Sequence, residues 1–181
     1  MVSPPKAHQG ILSIDRYASP CGQLSVGGID GQICLCEWDE PLRMKRSLNR
    51  LYRFLGITVE EAASPVTDRA FRQLDEYFAG QRKAFSLPLR MVGTPFQMEV
   101  WNLLTAIDYG NTTNYKWLSE QMKSPQAVRA VAAAIGANPM SILIPCHRVV
   151  GSDGSLTGYA GGLSAKHYLL ALEKRHSDSP R

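Results

Sequence analysis

YKWLSEQMKSPQAVRAVAAAI, residues 115–135, is the stretch that decides the fold of the second half of the chain. Its pattern of apolar residues predicts a short helix from Tyr115 to Met122 and another from Ala127 to Ile135. The intervening Lys123-Ser124-Pro125 is predicted as a turn, an N-cap and a first helical residue. Two short helices joined so tightly predict a helix-turn-helix.

The first half of the chain is predicted to hold a small sheet and two helices. Strands are expected at Ile11–Tyr17, Leu24–Ile29 and Gln32–Trp38, because turn-forming residues separate these apolar runs. One amphipathic helix should begin at Pro41 and stop at Gly56, and a second should run from Val66 to Ala79.

A domain boundary is expected where hydrophobic periodicity is lost, over residues 81–88. Residues 1–90 are interpreted as an N-terminal α+β supporting domain. Residues 91–181 are interpreted as a mainly helical, winged-helix-like domain that opens with the capping box Thr94-Pro95-Phe96-Gln97. Its first helix is predicted to end at Tyr109-Gly110-Asn111. The predicted fold class is α+β.

Composition limits the class of protein. A chain of 181 residues that is 44% hydrophobic can bury one sizeable core or two small ones. The sequence shows neither a long apolar run nor an apolar leader segment, so a soluble, cytoplasmic protein is expected. A net charge of +4 suits a polyanionic partner without establishing one.

The four cysteines do not indicate a secreted disulfide framework. Cys34 and Cys36 are predicted to share one face of a strand, with Cys21 and His8 upstream. That spacing matches no recognised zinc motif, and small cysteines also fill sheet cores. Neither a metal nor a cofactor is therefore expected.

Ile144-Pro145-Cys146-His147-Arg148-Val149 places a thiol, an imidazole and a guanidinium side by side. An ordinary cysteine is mostly protonated at neutral pH, so a reactive one needs a base and a positive environment. Adjacent side chains diverge, which favours a relay between Cys146 and His147 through one ordered water. From these residues alone, an inert buried cysteine stays an equal alternative.

The flanking motifs narrow the interpretation. Arg129-Ala130-Val131, Asn138-Pro139, Pro145–Val149 and Gly158–Leu163 occur in this order at close spacing. Over residues 94–173 the chain closely resembles the O6-alkylguanine-DNA alkyltransferases, and the combination of motifs is highly specific. The N-terminal half resembles this family only loosely.

The resemblance implies DNA repair by direct transfer of an alkyl group from O6-alkylguanine to Cys146. The protein would be consumed, one alkyl group per molecule. Glu173 would orient His147 and stabilise its protonated form. The implied partner is double-stranded DNA bound through its minor groove by a protein that is monomeric in solution. Assembly along DNA stays open.

The resemblance also assigns residues to DNA and to the turns around the cysteine. Arg129 would insert into the base stack where the damaged guanine has been turned out, and Tyr115 would help to rotate that nucleotide. Asn138 would tie together the turns that lead into an active-site strand. Without the resemblance, we would interpret Arg129 as a solvated surface charge and the alanine-rich helix around it as a helix that packs against its neighbours.

The remaining implied contacts are with the base itself. Tyr159 and the backbone N–H of Ala160 belong to the loop that would cover the guanine, with that N–H donating toward O6. The carbonyl groups of Cys146 and Val149 would accept from its exocyclic amine. Arg148 is grouped with these substrate- and DNA-binding residues.

Three other functions compete with transfer. An alkyltransferase-like protein would bind the lesion without reacting, but such proteins lack the reactive cysteine. A helix-turn-helix regulator would prefer an undamaged operator, and a cysteine hydrolase would turn over and ignore DNA. Cys146, Glu173 and the Gly158–Leu163 loop favour the transferase.

Overall fold

The computed structural model describes residues 10–177, and its first part is built on a four-stranded sheet. β1 (Ile11–Ser19), β2 (Gly22–Ile29) and β3 (Gln32–Trp38) form an antiparallel meander, which confirms the prediction. β4 (Thr58–Glu61) pairs in parallel with β1, giving the order β3-β2-β1-β4. Sequence reasoning missed β4 because all of its residues are exposed, so it lacks the alternation of a half-buried strand.

The two predicted helices of the first part are present. α1 (Pro41–Leu55) begins after Glu40, whose carboxylate accepts from the backbone N–H groups of Leu42 and Arg43. It ends at Gly56, which has a φ of 60° that glycine adopts without strain. α2 (Pro65–Phe78) begins with a capping box between the Ser64 and Thr67 side chains.

The sheet separates two apolar clusters. The smaller cluster includes Leu51 of α1 together with Leu12 and Cys34. The larger cluster includes much of α2 and of the second part of the chain, together with Cys36. The prediction that Cys34 and Cys36 share a face is therefore wrong, because the pairing of β2 with β3 shifts register beside Cys34.

The second part is mainly helical, and the α+β class is confirmed. Its elements are α3 (Pro95–Thr105), β5 (Thr113–Asn114), α4 (Tyr115–Gln121), α5 (Val128–Gly136), β6 (Val149–Val150) and α6 (Gly162–Ser177). β5 and β6 pair in parallel as a two-stranded ribbon. The winged-helix arrangement of these elements stays a prediction. No helix within the described residues has both the length and the apolar character needed to span a bilayer.

Two predicted helix ends are wrong. α3 stops at Thr105, before the expected Tyr109. α5 starts at Val128, and no side chain caps it, so Ser124 is not its N-cap. The Ser124 carbonyl instead accepts from the N–H of Ala127, which closes a separate turn ahead of the helix.

Backbone hydrogen bonds join the two parts of the chain. The N–H of Cys36 in β3 donates to the Pro139 carbonyl at 2.8 Å, and the Ser141 N–H donates back to the Cys36 carbonyl at 2.7 Å. The edge of the first sheet therefore holds the segment that leads to Cys146.

The Thr94 capping box provides a test of the fold. We expect Thr94→Ala to lower the free energy of unfolding by about 1 kcal/mol, because the Gln97 N–H loses its acceptor. Urea denaturation measures this change. Thr112→Ala is the control, since Thr112 is exposed and its hydroxyl makes no hydrogen bond within the described residues. Equal stability of both variants would contradict the capping role.

Candidate active site

Cys146 begins a short 3-10 turn, Cys146–Arg148, which leads directly into β6. The preceding segment forms a tight loop, in which Ser141 and Ile144 make an isolated bridge. Ile142 within it has a φ of 70°, a backbone conformation that branched side chains rarely adopt. Strain of this kind persists only where the surroundings enforce it.

Asn138 holds this loop. Its amide Nδ2 donates to the Ile144 carbonyl at 2.9 Å and to the Cys146 sulfur at 3.1 Å. Its Oδ1 accepts from the Met140 N–H at 3.0 Å. One buried side chain thus fixes both ends of the loop and touches the thiol.

Cys146 is buried, with 6% of its surface exposed. Burial raises the pKa of its thiol to about 11, and the hydrogen bond from Asn138 acts in the opposite direction. The group is therefore a thiol at neutral pH. A reaction at sulfur requires that its proton be removed as the new bond forms.

His147 lies directly behind the cysteine and is fully buried. Its Nε2 is 2.8 Å from Oε1 of Glu173, while its Nδ1 has no partner among the described residues. Burial lowers the pKa of the imidazole, and the Glu173 carboxylate opposes this effect. His147 is therefore a neutral base with one nitrogen available.

Glu173, on the buried face of α6, is the centre of the hydrogen-bond network. Its carboxylate accepts from Tyr77 Oη, Gly110 N, His147 Nε2, Arg148 Nε and Arg148 Nη2, at 2.7 to 3.1 Å. Burial alone would raise its pKa, but the hydrogen bonds from His147 and Arg148, together with the charge of Arg148, outweigh burial and hold the pKa well below its usual range.

An ionised Glu173 determines which nitrogen of His147 carries the proton. A carboxylate is an acceptor only, so the nitrogen that faces it must donate. Nε2 therefore carries the hydrogen, and Nδ1 presents a lone pair. This arrangement leaves Nδ1 able to accept a proton.

The assignment of Arg148 to DNA contact is wrong. Only 6% of its surface is exposed, and its guanidinium is held by Glu173 and by the Ile107 carbonyl. It also lies over the Tyr109 ring, 5.7 Å from the ring centroid. Arg148 neutralises the buried carboxylate, and its guanidinium is engaged within the protein rather than presented at the surface.

A cavity of about 340 Å³ opens in front of Cys146. Its walls include Tyr115 of α4, Ile135 of α5, and Tyr159 and Ala160 of the loop before α6. The Tyr115 hydroxyl is hydrogen-bonded to the Thr157 hydroxyl at 3.0 Å, whereas the Tyr159 hydroxyl has no partner among the described residues. The cavity suits one small planar ligand with polar groups at its edge.

Two other predicted residues lie outside the cavity. Arg129 is exposed on α5. Val149 is buried, does not line the cavity, and its carbonyl accepts from Lys166 Nζ at 2.5 Å.

Sequence reasoning missed the role of Lys166. Its buried ammonium also donates to the Thr157 carbonyl at 2.7 Å, so it links the loop over the cavity to the segment after Cys146. The signal was available, because Lys166 shares the apolar stripe of α6 with Ala165, Leu169 and Leu172. A charge on such a stripe requires buried partners.

No group of three or more metal-ligating side chains is assembled anywhere in residues 10–177. Cys34 and Cys36 are both buried in apolar clusters, and Cys21 is partly exposed. His8, the other residue considered for zinc, lies outside the described residues.

The fold and the site define a class: two-part α+β proteins in which a buried cysteine is backed by a histidine–carboxylate pair. Two family models match the chain. The model described as "6-O-methylguanine DNA methyltransferase, ribonuclease-like domain" matches residues 15–91, and the model described as "6-O-methylguanine DNA methyltransferase, DNA binding domain" matches residues 95–175. A relative from Salmonella typhimurium is 44% identical, covering 88% of this chain and 94% of its own. The chain belongs to the 6-O-methylguanine-DNA methyltransferase family.

Other relatives carry the same description. The inducible methylated-DNA--protein-cysteine methyltransferase of Bacillus subtilis is 52% identical over 58% of this chain and 59% of its own. The chain thus spans about three fifths of that relative's length. The Mycobacterium tuberculosis O6-methylguanine methyltransferase structure is 36% identical, with a TM-score of 0.75, covering 93% of this chain and 95% of that one. A structure of that bacterium's protein in complex with DNA has a TM-score of 0.76 at 36% identity, covering 91% and 94%.

The Glu173 network predicts a large stability effect. Glu173→Gln leaves Arg148 buried without a counter-charge, so we expect the free energy of unfolding at neutral pH to fall by about 3–5 kcal/mol. Tyr77→Phe removes one donor and should cost only about 1.5–3 kcal/mol. Urea titrations of both variants make the comparison, and a larger loss for Tyr77→Phe would contradict the assignment.

The same network predicts a pH dependence. Because the folded-state pKa of Glu173 is lowered, its stabilising contribution is present above the ordinary glutamate pKa of about 4.3 and is lost as pH falls below it. The wild-type free energy of unfolding should therefore decline more steeply on acidification than that of Glu173→Gln. Parallel declines would show that Glu173 is not the group responsible.

Proposed function

We propose that this protein repairs DNA by transferring the alkyl group of O6-alkylguanine to Cys146 in a single, stoichiometric reaction. The observation that carries the proposal is the buried thiol between an open cavity and a neutral histidine held by an ionised glutamate. Relatives named methylated-DNA--protein-cysteine methyltransferase support it.

Double-stranded DNA is the partner in this proposal. α4 and α5 would act as the helix-turn-helix, with α5 in the minor groove and Arg129 inserted where the damaged base has left the stack. The small side chains of α5 allow close approach to the groove wall, and Arg129 is exposed on that helix. Residues 91–181 would carry binding and transfer, while residues 1–90 would support them.

The flipped base would occupy the cavity of Cys146. Tyr115, Tyr159 and Ala160 line it. The two tyrosine hydroxyls and the backbone N–H of Ala160 would serve as hydrogen-bond donors to the base. The Tyr159 hydroxyl is buried beside the Trp38 ring and has no hydrogen bond of standard geometry among the described residues. The ammonium of Lys166 would keep the covering loop in place through the Thr157 carbonyl.

Transfer would form a bond between the Cys146 sulfur and the alkyl carbon while the bond from that carbon to O6 breaks. The electron pair of the broken bond stays with the guanine, where donors in the cavity stabilise the charge. The thiol proton passes to His147 Nδ1 through one water, because sulfur and imidazole share no direct hydrogen bond among the described contacts. Glu173 then stabilises the imidazolium.

The product is a thioether, which thiol exchange does not reverse, so each molecule reacts once. Lesion binding without transfer is the second candidate function. The position of Cys146 on the cavity wall favours transfer.

Mass spectrometry tests the proposal directly. After incubation with a duplex that contains O6-methylguanine, the intact mass should rise by one methyl group per chain, at Cys146. Cys146→Ser and an undamaged duplex should give no increase. Tight, lesion-selective binding without any mass change would leave only the lesion-binding function.

The pH dependence tests the relay. At saturating duplex, the wild-type rate of transfer should be nearly constant from about pH 7 to about pH 9, because His147 is already neutral. In His147→Gln the rate should rise about tenfold per pH unit, because the thiolate fraction grows that way below a pKa of about 11. A similar profile for both proteins would exclude His147 as the base.

A further inference from the structure

A second groove adjoins the cavity of Cys146. It encloses about 270 Å³ between α1 of the first part and the end of α5, and Arg43, Arg46 and Arg50 line its α1 side. Arg43 and Gly136 line both the groove and the cavity, so the two are neighbours. A strand whose base enters the cavity therefore passes close to the mouth of this groove.

Two of the three arginines already have partners. Arg43 pairs with the buried Glu37 at 3.1 Å and donates to the Gly136 carbonyl at 3.2 Å. Arg50 donates to the Ala137 carbonyl at 2.7 Å. These carbonyls lie at the negative end of the α5 dipole, and without the arginines they would repel an anion.

Arg46 is different. It lies between Arg43 and Arg50 on α1, one helical turn from each, and its side chain is exposed. Within residues 10–177 it has neither an ion pair nor a hydrogen bond to another side chain. Three arginines and one carboxylate, Glu37, line this groove, so its side chains carry a net positive charge of two.

We propose that the groove between α1 and α5 binds a backbone phosphate of the DNA next to the flipped nucleotide, with Arg46 as the charged contact. The inference rests on the proposed function, because it takes duplex DNA as the partner. It adds to that function because α1 of the N-terminal part would contact the DNA directly. Arg43 and Arg50 keep the α5 carbonyls neutralised, and Arg46 pairs with the phosphate.

Equilibrium binding to an undamaged duplex over a series of salt concentrations tests the inference. Arg46→Ala should raise Kd about three- to tenfold near physiological salt, and should make the plot of log affinity against log salt shallower by about one phosphate contact. Arg46→Lys should recover most of the loss, because it keeps the charge. Arg72→Ala removes the same charge from an exposed position on α2 that lines neither the groove nor the cavity of Cys146, and it should bind as wild type does.

The outcomes separate this inference from the function on which it rests. If Arg46→Ala matches Arg72→Ala in both Kd and salt slope, the phosphate site is wrong, while methyl uptake by the wild-type protein would still establish transfer. If wild type neither binds duplex nor gains a methyl group, both proposals fall. A loss in Arg46→Ala that Arg46→Lys restores supports the site.

Discussion

The carboxylate of Glu173 is the interaction on which the rest of the structure depends. It is fully buried, yet donors from α2, from the loop after α3 and from the 3-10 turn of Cys146 all converge on it. A buried charge is tolerated only when its partners are complete. These segments and α6 are therefore held to one another through the carboxylate, and the two parts of the chain are joined at the site itself.

For the proposed transfer, this arrangement would allow the protonated thiol of Cys146 to act as a nucleophile. Burial keeps the thiol of Cys146 protonated, which protects it from adventitious oxidation. The ionised carboxylate keeps Nδ1 of His147 free to accept a proton. In the proposed reaction, transfer would therefore use a thiol that loses its proton as the new bond forms, rather than a thiolate that is always present. Tyr77 brings the N-terminal part into this network through its hydrogen bond to Glu173.

Much of the fold could be predicted from the sequence, because local signals determine it. The capping box at Thr94 and the glycine stop at Gly56 are short-range patterns, and both are where the sequence predicts them. β4 could not be predicted, because an exposed edge strand carries no alternation. The start of α5 was misplaced because Ser124 and Pro125 suit a turn as well as a helix start.

The site was predictable in part. The sequence places Cys146 beside His147, but the contacts of Glu173 with Tyr77 and Gly110 join residues far apart in the chain. Arg148 was misassigned for the same reason, since the carboxylate that holds it is 25 residues away. In a basic protein an arginine is readily assigned to DNA contact, because the sequence does not show that a buried carboxylate is its partner.

The most direct test of this account is the tautomer of His147, read from the nitrogen-15 chemical shifts of its imidazole at neutral pH. The account predicts a neutral ring with the hydrogen on Nε2 and a free lone pair on Nδ1. A ring that carries its hydrogen on Nδ1, or an imidazolium, would contradict the claim that Glu173 prepares His147 to take the proton of Cys146.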